Sequence, residues 1–276
     1  MKTQSFKLAG VALVVASLAL TGCGARSESG SSGSAGGSTK VAKIGVIAPL
    51  SGGLSALGLG IRNSVDLAIR QANESNAIPG WKLELAAEDD EAKADVGKNA
   101  ATKLASDNDV VGVVGALNSS VSQTTIPVLD SANIVQVSPA NTGPSLTKGA
   151  DFATNPKRPN ANFFRTCTTD TVQGAVAAQY LIDSGVKELG TIHDKKIYGQ
   201  GLVQSVTENF EKLGGKVVAA ETINPDDSDF SAVITKVKAA NPQAVYYGGE
   251  YPQAGPLSKQ MKAAGLNVPL MGGDGI

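Results

Sequence analysis

The sequence predicts an α/β protein built from two successive parallel sheets, and three observations carry this prediction. From residue 41 onward, short β-rich runs alternate with longer segments whose apolar residues recur at helical spacing. The run Val110–Gly115, VVGVVG, is continuously apolar, which is typical of a parallel strand covered on both faces. The Pro- and Asn-rich stretch Asn155–Asn160 divides the alternation into two arrays. We therefore expect one α/β lobe over residues 41–160 and a second over residues 161–276.

The individual elements follow from the same patterns. Strands of the first array are expected at Val41–Ala48, Lys82–Ala87, Val110–Gly115 and Ile134–Ser138. Strands of the second array are expected at Phe163–Thr166, Leu189–His193, Lys216–Ala220, Ala244–Gly248 and Val268–Met271. Helices are expected between them, including one over Thr125–Ala132 and one that packs its face of Val172, Val176, Tyr180 and Leu181. Because open α/β sheets bind ligands beyond the carboxyl ends of their strands, two facing lobes would enclose a binding cleft.

Composition narrows the class of partner. The chain has 276 residues, a net charge of −1 and only 4% aromatic residues. No basic stripe interleaves with aromatic side chains, so nucleic acid is not an expected partner. The length suits two lobes better than one simple core.

The N-terminus has the features of a secretory signal. Lys2 and Lys7 precede an apolar run over residues 8–20, which is too short to span a bilayer as a helix. The run ends in Leu20-Thr21-Gly22-Cys23, similar to the lipobox of bacterial lipoprotein precursors, although a signal with a chance cysteine is the alternative. We expect residues 1–22 to be removed and Cys23 to carry lipid, with residues 23–40 as a flexible Gly/Ser tether. The protein would then sit on the extracytoplasmic face of the cell membrane.

Motifs for catalysis, metals and cofactors are weak. Cys167 is the only cysteine left after Cys23, so an internal disulfide is excluded and a buried inert thiol is favoured over a nucleophile. His193-Asp194 lacks an orienting network, and the acidic run Glu88–Glu91 is expected to be a solvated loop or helix start. Gly58-Leu59-Gly60 begins like a dinucleotide fingerprint but lacks its third glycine. We expect no enzyme activity, no cofactor and no metal.

Small polar residues at strand ends are the remaining candidates. Leu117–Ser120 and Ser138–Thr142 each follow a predicted strand, where hydroxyls and free amides can hold a carboxylate. Tyr198 and Asp274 follow strands of the second array. Anion donors on one lobe and a carboxylate on the other suit a zwitterion, although these residues taken alone could also be ordinary loop residues.

Several short segments of the sequence, in the same order, resemble segments of the leucine/isoleucine/valine-binding proteins of bacterial ABC transporters. They are Ile44–Gly52, Gly115–Ser119, Val137–Ala140, Phe164–Thr166, His193–Lys195, Tyr198–Gly201, Asp229–Ser231, Val245–Gly249 and Met271–Gly275. The resemblance implies a two-lobed, type I Venus-flytrap fold of the periplasmic-binding-protein kind. It also implies about a hundred further C-terminal residues, so the second lobe is expected to be incomplete and the chain truncated.

The resemblance also implies site residues. Ser119, Ala140 and Thr142 match the family's positions that hold the ligand's α-carboxylate, Tyr198 matches a second-lobe tyrosine, and Asp274 matches the acidic partner of the ammonium. The sequence departs from the family at two contact positions, because Leu57 and Glu250 stand where tyrosines occur, with Tyr251 adjacent. A disulfide of some members is absent, since its positions hold Ala92 and Asn118.

The function implied is a monomeric solute receptor that closes on a branched-chain or related amino acid and delivers it to ABC permease subunits. Two alternatives within the fold stay open, namely an amide- or urea-type solute binder and a ligand-sensing module that reports to a receptor. A secreted hydrolase is the alternative from another class, and it lacks a nucleophile–base pair.

Overall fold

A computed structural model of the protein describes residues 39–276, in which strands and helices alternate. The strands are β1 (Lys40–Ala48), β2 (Trp81–Asp89), β3 (Val110–Gly115), β4 (Val135–Ser138), β5 (Phe163–Arg165), β6 (Glu188–His193), β7 (Lys216–Thr222), β8 (Ala244–Gly248) and β9 (Leu270–Gly272). The helices are α1 (Ser55–Glu74), α2 (Ala94–Ala105), α3 (Ser119–Ser131), α4 (Ser145–Lys148), α5 (Asp170–Asp183), α6 (Ile197–Lys212), α7 (Ser231–Ala239) and α8 (Tyr251–Ala263).

The first lobe is a five-stranded sheet in the order β2-β1-β3-β4-β5, and every pair in it is parallel. Its core lies between the sheet and helices α2 and α3, where Ile47, Leu104, Val113 and Leu129 are buried. The VVGVVG run forms β3 as predicted, and only its second residue, Val111, is largely exposed. Helices are needed between the strands because parallel strands must be joined by crossovers.

The second lobe is a four-stranded parallel sheet in the order β7-β6-β8-β9. The period of two in β8 sends Tyr246 into the core beside Leu202 and Tyr247 into the opposite core beside Leu257. Both tyrosines are fully buried, so this strand is covered on both faces. The expected α/β architecture of parallel sheets flanked by helices is thereby confirmed.

The expected boundary between the lobes is wrong by one strand. Phe163–Thr166 was expected to open the second array, but β5 pairs with β4 at the edge of the first sheet. Phe163 is buried against Ile126 and Leu146 of the first lobe. The proline-rich stretch therefore precedes the last strand of the first sheet, and the lobes are not divided at residues 160 and 161.

The expected buried face of α5 is also wrong. Val172, Val176 and Tyr180 are exposed, whereas Gly174, Ala177, Ala178 and Leu181 are buried. Small residues face inward because α5 packs closely on α6, where a Cβ on Gly174 would lie 2.3 Å from Ser205 Oγ. Hydrophobicity alone thus pointed to the wrong side of the helix.

Three expectations lie wholly or mostly outside the described residues. The signal peptide over residues 1–22 and lipidation of Cys23 cannot be compared with the structure, and of the tether at residues 23–40 only the last two residues are described, with Lys40 already in β1. Within residues 39–276, no helix combines the length and apolar character that crossing a membrane requires.

Candidate functional site

A cleft, whose open space together with adjoining solvent is about 550 Å³, lies where the carboxyl ends of strands from both sheets face each other. Its lining consists of Leu54, Leu57, Leu117, Asn118, Ser119, Ala140, Tyr198, Glu250, Asp274 and Gly275. In the first sheet the strand order reverses between β1 and β3, and in the second between β6 and β8. Such reversal points leave a crevice in which α/β proteins bind ligands. The segments that follow these four strands supply most of the lining.

The start of α3 offers one end of the cleft to an anion. Ser119 is the first residue of α3 and its side chain is buried. Its Oγ accepts a hydrogen bond from the Gly143 amide at 3.2 Å, which leaves the hydroxyl hydrogen free to donate. The N-terminus of a helix also carries unpaired amides and a partial positive charge. With Ala140 on the neighbouring wall, this end of the cleft can hold a carboxylate.

Thr142 lies outside the lining. It is fully buried, and its carbonyl accepts the Asp170 amide at the start of α5. Burial raises the pKa of the Asp170 carboxyl to about 6, and the nearby Thr142 hydroxyl has a smaller, lowering effect. Thr142 Oγ1 and the Asp170 carboxylate oxygens have no hydrogen-bond partner among the described residues. Thr142 is therefore buried outside the lining of the cleft.

Asp274 provides a carboxylate at the opposite lobe. It follows β9, and its Oδ1 accepts hydrogen bonds from the Tyr198 hydroxyl at 2.9 Å and from Gln173 Nε2 at 3.0 Å. The Tyr198 hydroxyl in turn accepts the Gly275 amide at 2.9 Å, so it is held between the two. Burial, with the negative charge of Asp274 beside it, raises the pKa of Tyr198, which keeps the phenol protonated. This arrangement suits an ammonium group.

Three leucines supply the apolar part of the cleft. Leu54 is buried just before α1, Leu57 is 42% exposed on its first turn, and Leu117 follows β3. Leu57 is one of the two positions at which the resemblance to the leucine/isoleucine/valine-binding proteins implies a tyrosine. The leucines leave more open space than an aromatic ring would, because their side chains are shorter.

Glu250 is the other such position, and it forms a network across the cleft. It is 7% exposed at the start of α8, and its Oε2 accepts a charged hydrogen bond from Lys196 Nζ at 2.7 Å. Its Oε1 accepts a short hydrogen bond from Asn118 Nδ2 of the first lobe. Glu250 thus connects both lobes.

Two further buried carboxyls flank this network. Asp90, after β2, and Asp194, after β6, are both fully buried, and each has one oxygen without a partner among the described residues. Burial raises the pKa of Asp90 to about 7 and that of Asp194 to about 6, with the charge of Glu250 raising both further. The expectation that the acidic run Glu88–Glu91 is solvated is therefore wrong for Asp90.

The alternative chemistries find no support in the described residues. Burial raises the pKa of the Cys167 thiol, and its Sγ lies 3.1 Å from the Asn141 carbonyl, so a reactive thiolate is disfavoured. His193 Nδ1 accepts the Lys195 amide and does not pair with Asp194. Gly58 and Gly60 lie within helix α1 rather than in a phosphate loop. Residues 39–276 contain no group of three or more potential metal ligands.

Six of the seven predicted ligand-binding residues line the cleft, and the exception is Thr142. The sequence reasoning missed Leu54 and missed Lys196 as the partner of Glu250. It named Asn118 only within the stretch Leu117–Ser120, which follows β3. Lys196 carried no signal in the sequence, because its contact with Glu250 spans 54 residues of sequence.

Comparisons with known proteins agree with this geometry. The sequence pattern of the family described as "Periplasmic binding protein" matches residues 41–275. The chain is 35% identical to Leu/Ile/Val-binding protein homolog 3 of Brucella melitensis over 234 residues, which are 84% of this chain and 61% of that protein. The chain thus spans about six tenths of the length of the curated relatives that it matches.

Solved structures show the same fold. A leucine-binding protein LivK from Thermotoga maritima superposes with a TM-score of 0.76 at 28% identity, covering 85% of this chain and 63% of that one. The branched-chain amino acid transporter substrate-binding protein LivJ from Streptococcus pneumoniae, solved with isoleucine, gives a TM-score of 0.75 at 28% identity, covering 86% and 65%. The family match, the two parallel sheets and the cleft at their reversal points agree, and the chain belongs to the periplasmic binding protein family.

Proposed function

We propose that the chain is an extracytoplasmic receptor that binds a zwitterionic amino acid, of the branched-chain or a related type, and delivers it to an ABC importer. The observation that carries the proposal is the polarity of the cleft. Hydroxyl and amide donors lie at the start of α3 on one lobe, and the Asp274 carboxylate lies on the other. These groups are complementary to an α-carboxylate and an α-ammonium.

In this assignment, Ser119 and Ala140 hold the α-carboxylate, and Thr142 is buried outside the lining. Asp274 accepts the ammonium, and Tyr198 orients that carboxylate. Leu57 and Glu250 face the ligand's side chain, together with the other leucines of the cleft. Because the two sets of contacts come from different lobes, only the closed conformation makes both, and ligand binding favours closure.

The relatives support the wider role. Leu/Ile/Val-binding homologues and a LivJ structure that holds isoleucine are receptors, which favours a non-enzymatic, extracytoplasmic function for this chain. The closed receptor would dock on ABC permease subunits as a monomer. Diacylglycerol on Cys23 would anchor it to the membrane.

Calorimetry on the full-length protein tests the proposal. An amino acid that binds should be compared with its carboxamide, which lacks the carboxylate, and with its deamino analogue, which lacks the ammonium. We expect each analogue to bind at least tenfold more weakly, about 1.4 kcal/mol. Asp274→Asn should remove most of the difference between the amino acid and its deamino analogue, because the carboxylate is the ammonium's partner.

Two results would redirect the proposal. Analogues that bind as tightly as the amino acid would show that the charged ends do not contact the ligand. Tight binding of simple amides or urea, with no binding of any amino acid, would place the protein in the amide- or urea-binding branch.

A further inference from the structure

We propose that Asn118, Glu250 and Lys196 form a polar side-chain subsite, which selects an amino acid whose side chain ends in an uncharged hydrogen-bond donor, an amide or a hydroxyl. This inference rests on the proposed function, in that the cleft first has to bind an α-amino acid. It is distinct from the two charged ends, since none of the three residues belongs to the Ser119 or Asp274 groups.

The charges of the subsite are balanced within the protein. Glu250 is almost completely buried and is paired with Lys196 at 2.7 Å, while Lys196 retains partial exposure. A buried carboxylate without a cation would be costly, so this pair accounts for the presence of Glu250 in the wall. A cationic ligand side chain would compete with Lys196, and an anionic one would meet Glu250 with the buried carboxyls of Asp90 and Asp194 behind it. A neutral side chain is therefore favoured.

Asn118 supplies the unsatisfied group. Its Nδ2 donates to Glu250 Oε1, and because a carboxylate only accepts hydrogen bonds, this contact fixes which end of the amide is nitrogen. The Oδ1 atom is consequently turned away from Glu250. It is buried and has no hydrogen-bond partner among the described residues, although Asn118 is 5% exposed and lines the cleft.

An unpaired buried acceptor beside a ligand cavity calls for a donor on the ligand. A purely aliphatic side chain would leave the buried Asn118 Oδ1 without a hydrogen-bond partner. Sites that hydrogen-bond a ligand group discriminate strongly against analogues that lack it, whereas apolar pockets discriminate weakly. The leucines of the cleft can accommodate the aliphatic part of the same side chain.

Isosteric ligand pairs test this preference by calorimetry on the full-length protein. Leucine is compared with asparagine and valine with threonine, because each pair has nearly the same shape and differs in its donor. Aspartate, which matches asparagine without the donor, is the third arm. We expect asparagine or threonine to bind at least tenfold more tightly than its aliphatic partner, and aspartate to bind more weakly than asparagine.

The outcomes separate this inference from the proposed function. If leucine and valine bind as tightly as their polar partners or better, the polar subsite is wrong and the amino-acid receptor stands. If no zwitterionic amino acid binds while amides or urea do, the proposed function itself is wrong.

Two variants then assign the preference to these residues. Asn118→Leu preserves shape and removes the acceptor, so it should abolish the preference for the polar ligand of each pair. Glu250→Gln removes the charge that orients Asn118 and should reduce the preference severalfold. Ser119→Ala is the matched control, because it should weaken both members of a pair equally. A preference that survives in both a folded Asn118→Leu and a folded Glu250→Gln protein would overturn the assignment.

Discussion

At the scale of single residues, the site depends on polar groups held in place by their neighbours. The Ser119 hydroxyl accepts the Gly143 amide, and the Asp274 carboxylate accepts the hydroxyl of Tyr198. Such prior contacts fix the direction in which each group can meet a ligand, which reduces the entropy lost on binding.

Ser119→Ala should weaken amino-acid binding by about 1.5–3 kcal/mol, the scale of a hydrogen bond to a charged group. The fold should be retained, since the lost contact to the Gly143 amide is a long one at 3.2 Å. Calorimetry measures the effect, with Ser120→Ala as the neighbouring control outside the lining. An affinity unchanged from that of the native protein would remove Ser119 from the site.

Asp90 should make the free energy of unfolding depend on pH. Its pKa in the folded protein is about 7 because of burial, against 3.8 ordinarily, so the folded state holds its proton more tightly than the unfolded state. Its contribution to stability is therefore complete below about pH 4 and is lost as pH rises through about 7.

Asp90→Asn mimics the neutral carboxyl, so it should be stabilising by a few kcal/mol at pH 8 and close to neutral at pH 4, since each pKa unit is worth about 1.4 kcal/mol. Urea unfolding of the ligand-free protein at both pH values measures this difference. Exposed Asp95 provides the control, because Asp95→Asn makes the same substitution at the surface. Equal effects of Asp90→Asn at both pH values would contradict the burial argument.

At the scale of elements, the segment from β1 to α1 forms one wall of the cleft. Two glycines in α1 differ in how closely other atoms approach them. A Cβ on Gly58 would lie 1.9 Å from the Pro49 carbonyl oxygen, whereas a Cβ on Gly60 would meet nothing within 4 Å. Gly58 therefore allows the helix to approach the end of β1 and places Leu54 and Leu57 beside the cleft.

Replacing Gly58 and Gly60 by alanine should change the stability of the protein in opposite directions. Gly60→Ala should stabilise the protein by about 0.5–1 kcal/mol, because glycine is costly inside a helix. Gly58→Ala should destabilise it by about 1–3 kcal/mol through overpacking. It should also weaken ligand binding by moving the wall. Thermal unfolding of both variants, with and without ligand, measures these effects. If Gly58→Ala stabilises the protein as Gly60→Ala does, the close approach of the helix at Gly58 is unimportant.

At the scale of the whole molecule, direct contacts join the lobes around the cleft. Asn118 donates to Glu250, and the Tyr251 hydroxyl of α8 donates to the Gly53 carbonyl of the first lobe at 2.6 Å. These contacts belong to a closed conformation, since opening the cleft would separate them.

Tyr251→Phe should shift the lobes toward the open state and weaken ligand binding about 2- to 10-fold, equivalent to one hydrogen bond of 0.5–1.5 kcal/mol. Small-angle scattering of the ligand-free protein, together with calorimetry, measures both effects. Tyr180→Phe, on the exposed face of α5, is the control. An unchanged radius of gyration with unchanged affinity would show that the hydroxyl does not affect closure.

Membrane attachment should depend on Cys23 alone. Cys23→Ala should release the protein from the membrane fraction, because the tether has no other large apolar residue to anchor it. Cys167→Ala should remain attached. Fractionation with labelled fatty acid checks this, and continued labelling of Cys23→Ala would rule out the lipobox interpretation.

The sequence by itself determined the alternation of strands and helices, the parallel sheets and four of the predicted ligand-binding residues in the cleft, Ser119, Ala140, Tyr198 and Asp274, whereas Leu57 and Glu250 came from the resemblance to a family. These features are local: VVGVVG reads as a covered strand, and polar residues directly after strands must gather at one edge of a parallel sheet. The resemblance to a family supplied the assignment of roles to Ser119 and Asp274, which spacing alone could not give.

Only the tertiary structure decided which sheet β5 joins, which face of α5 is buried and how Glu250 is neutralised. A three-residue strand carries no mark of its sheet, because its partners lie far away in sequence. The inward face of α5 is set by the close approach of α6, which favours small side chains over Val172 and Val176. The Glu250–Lys196–Asn118 network joins residues up to 132 positions apart, and long-range contacts of this kind leave no periodic trace in a single sequence.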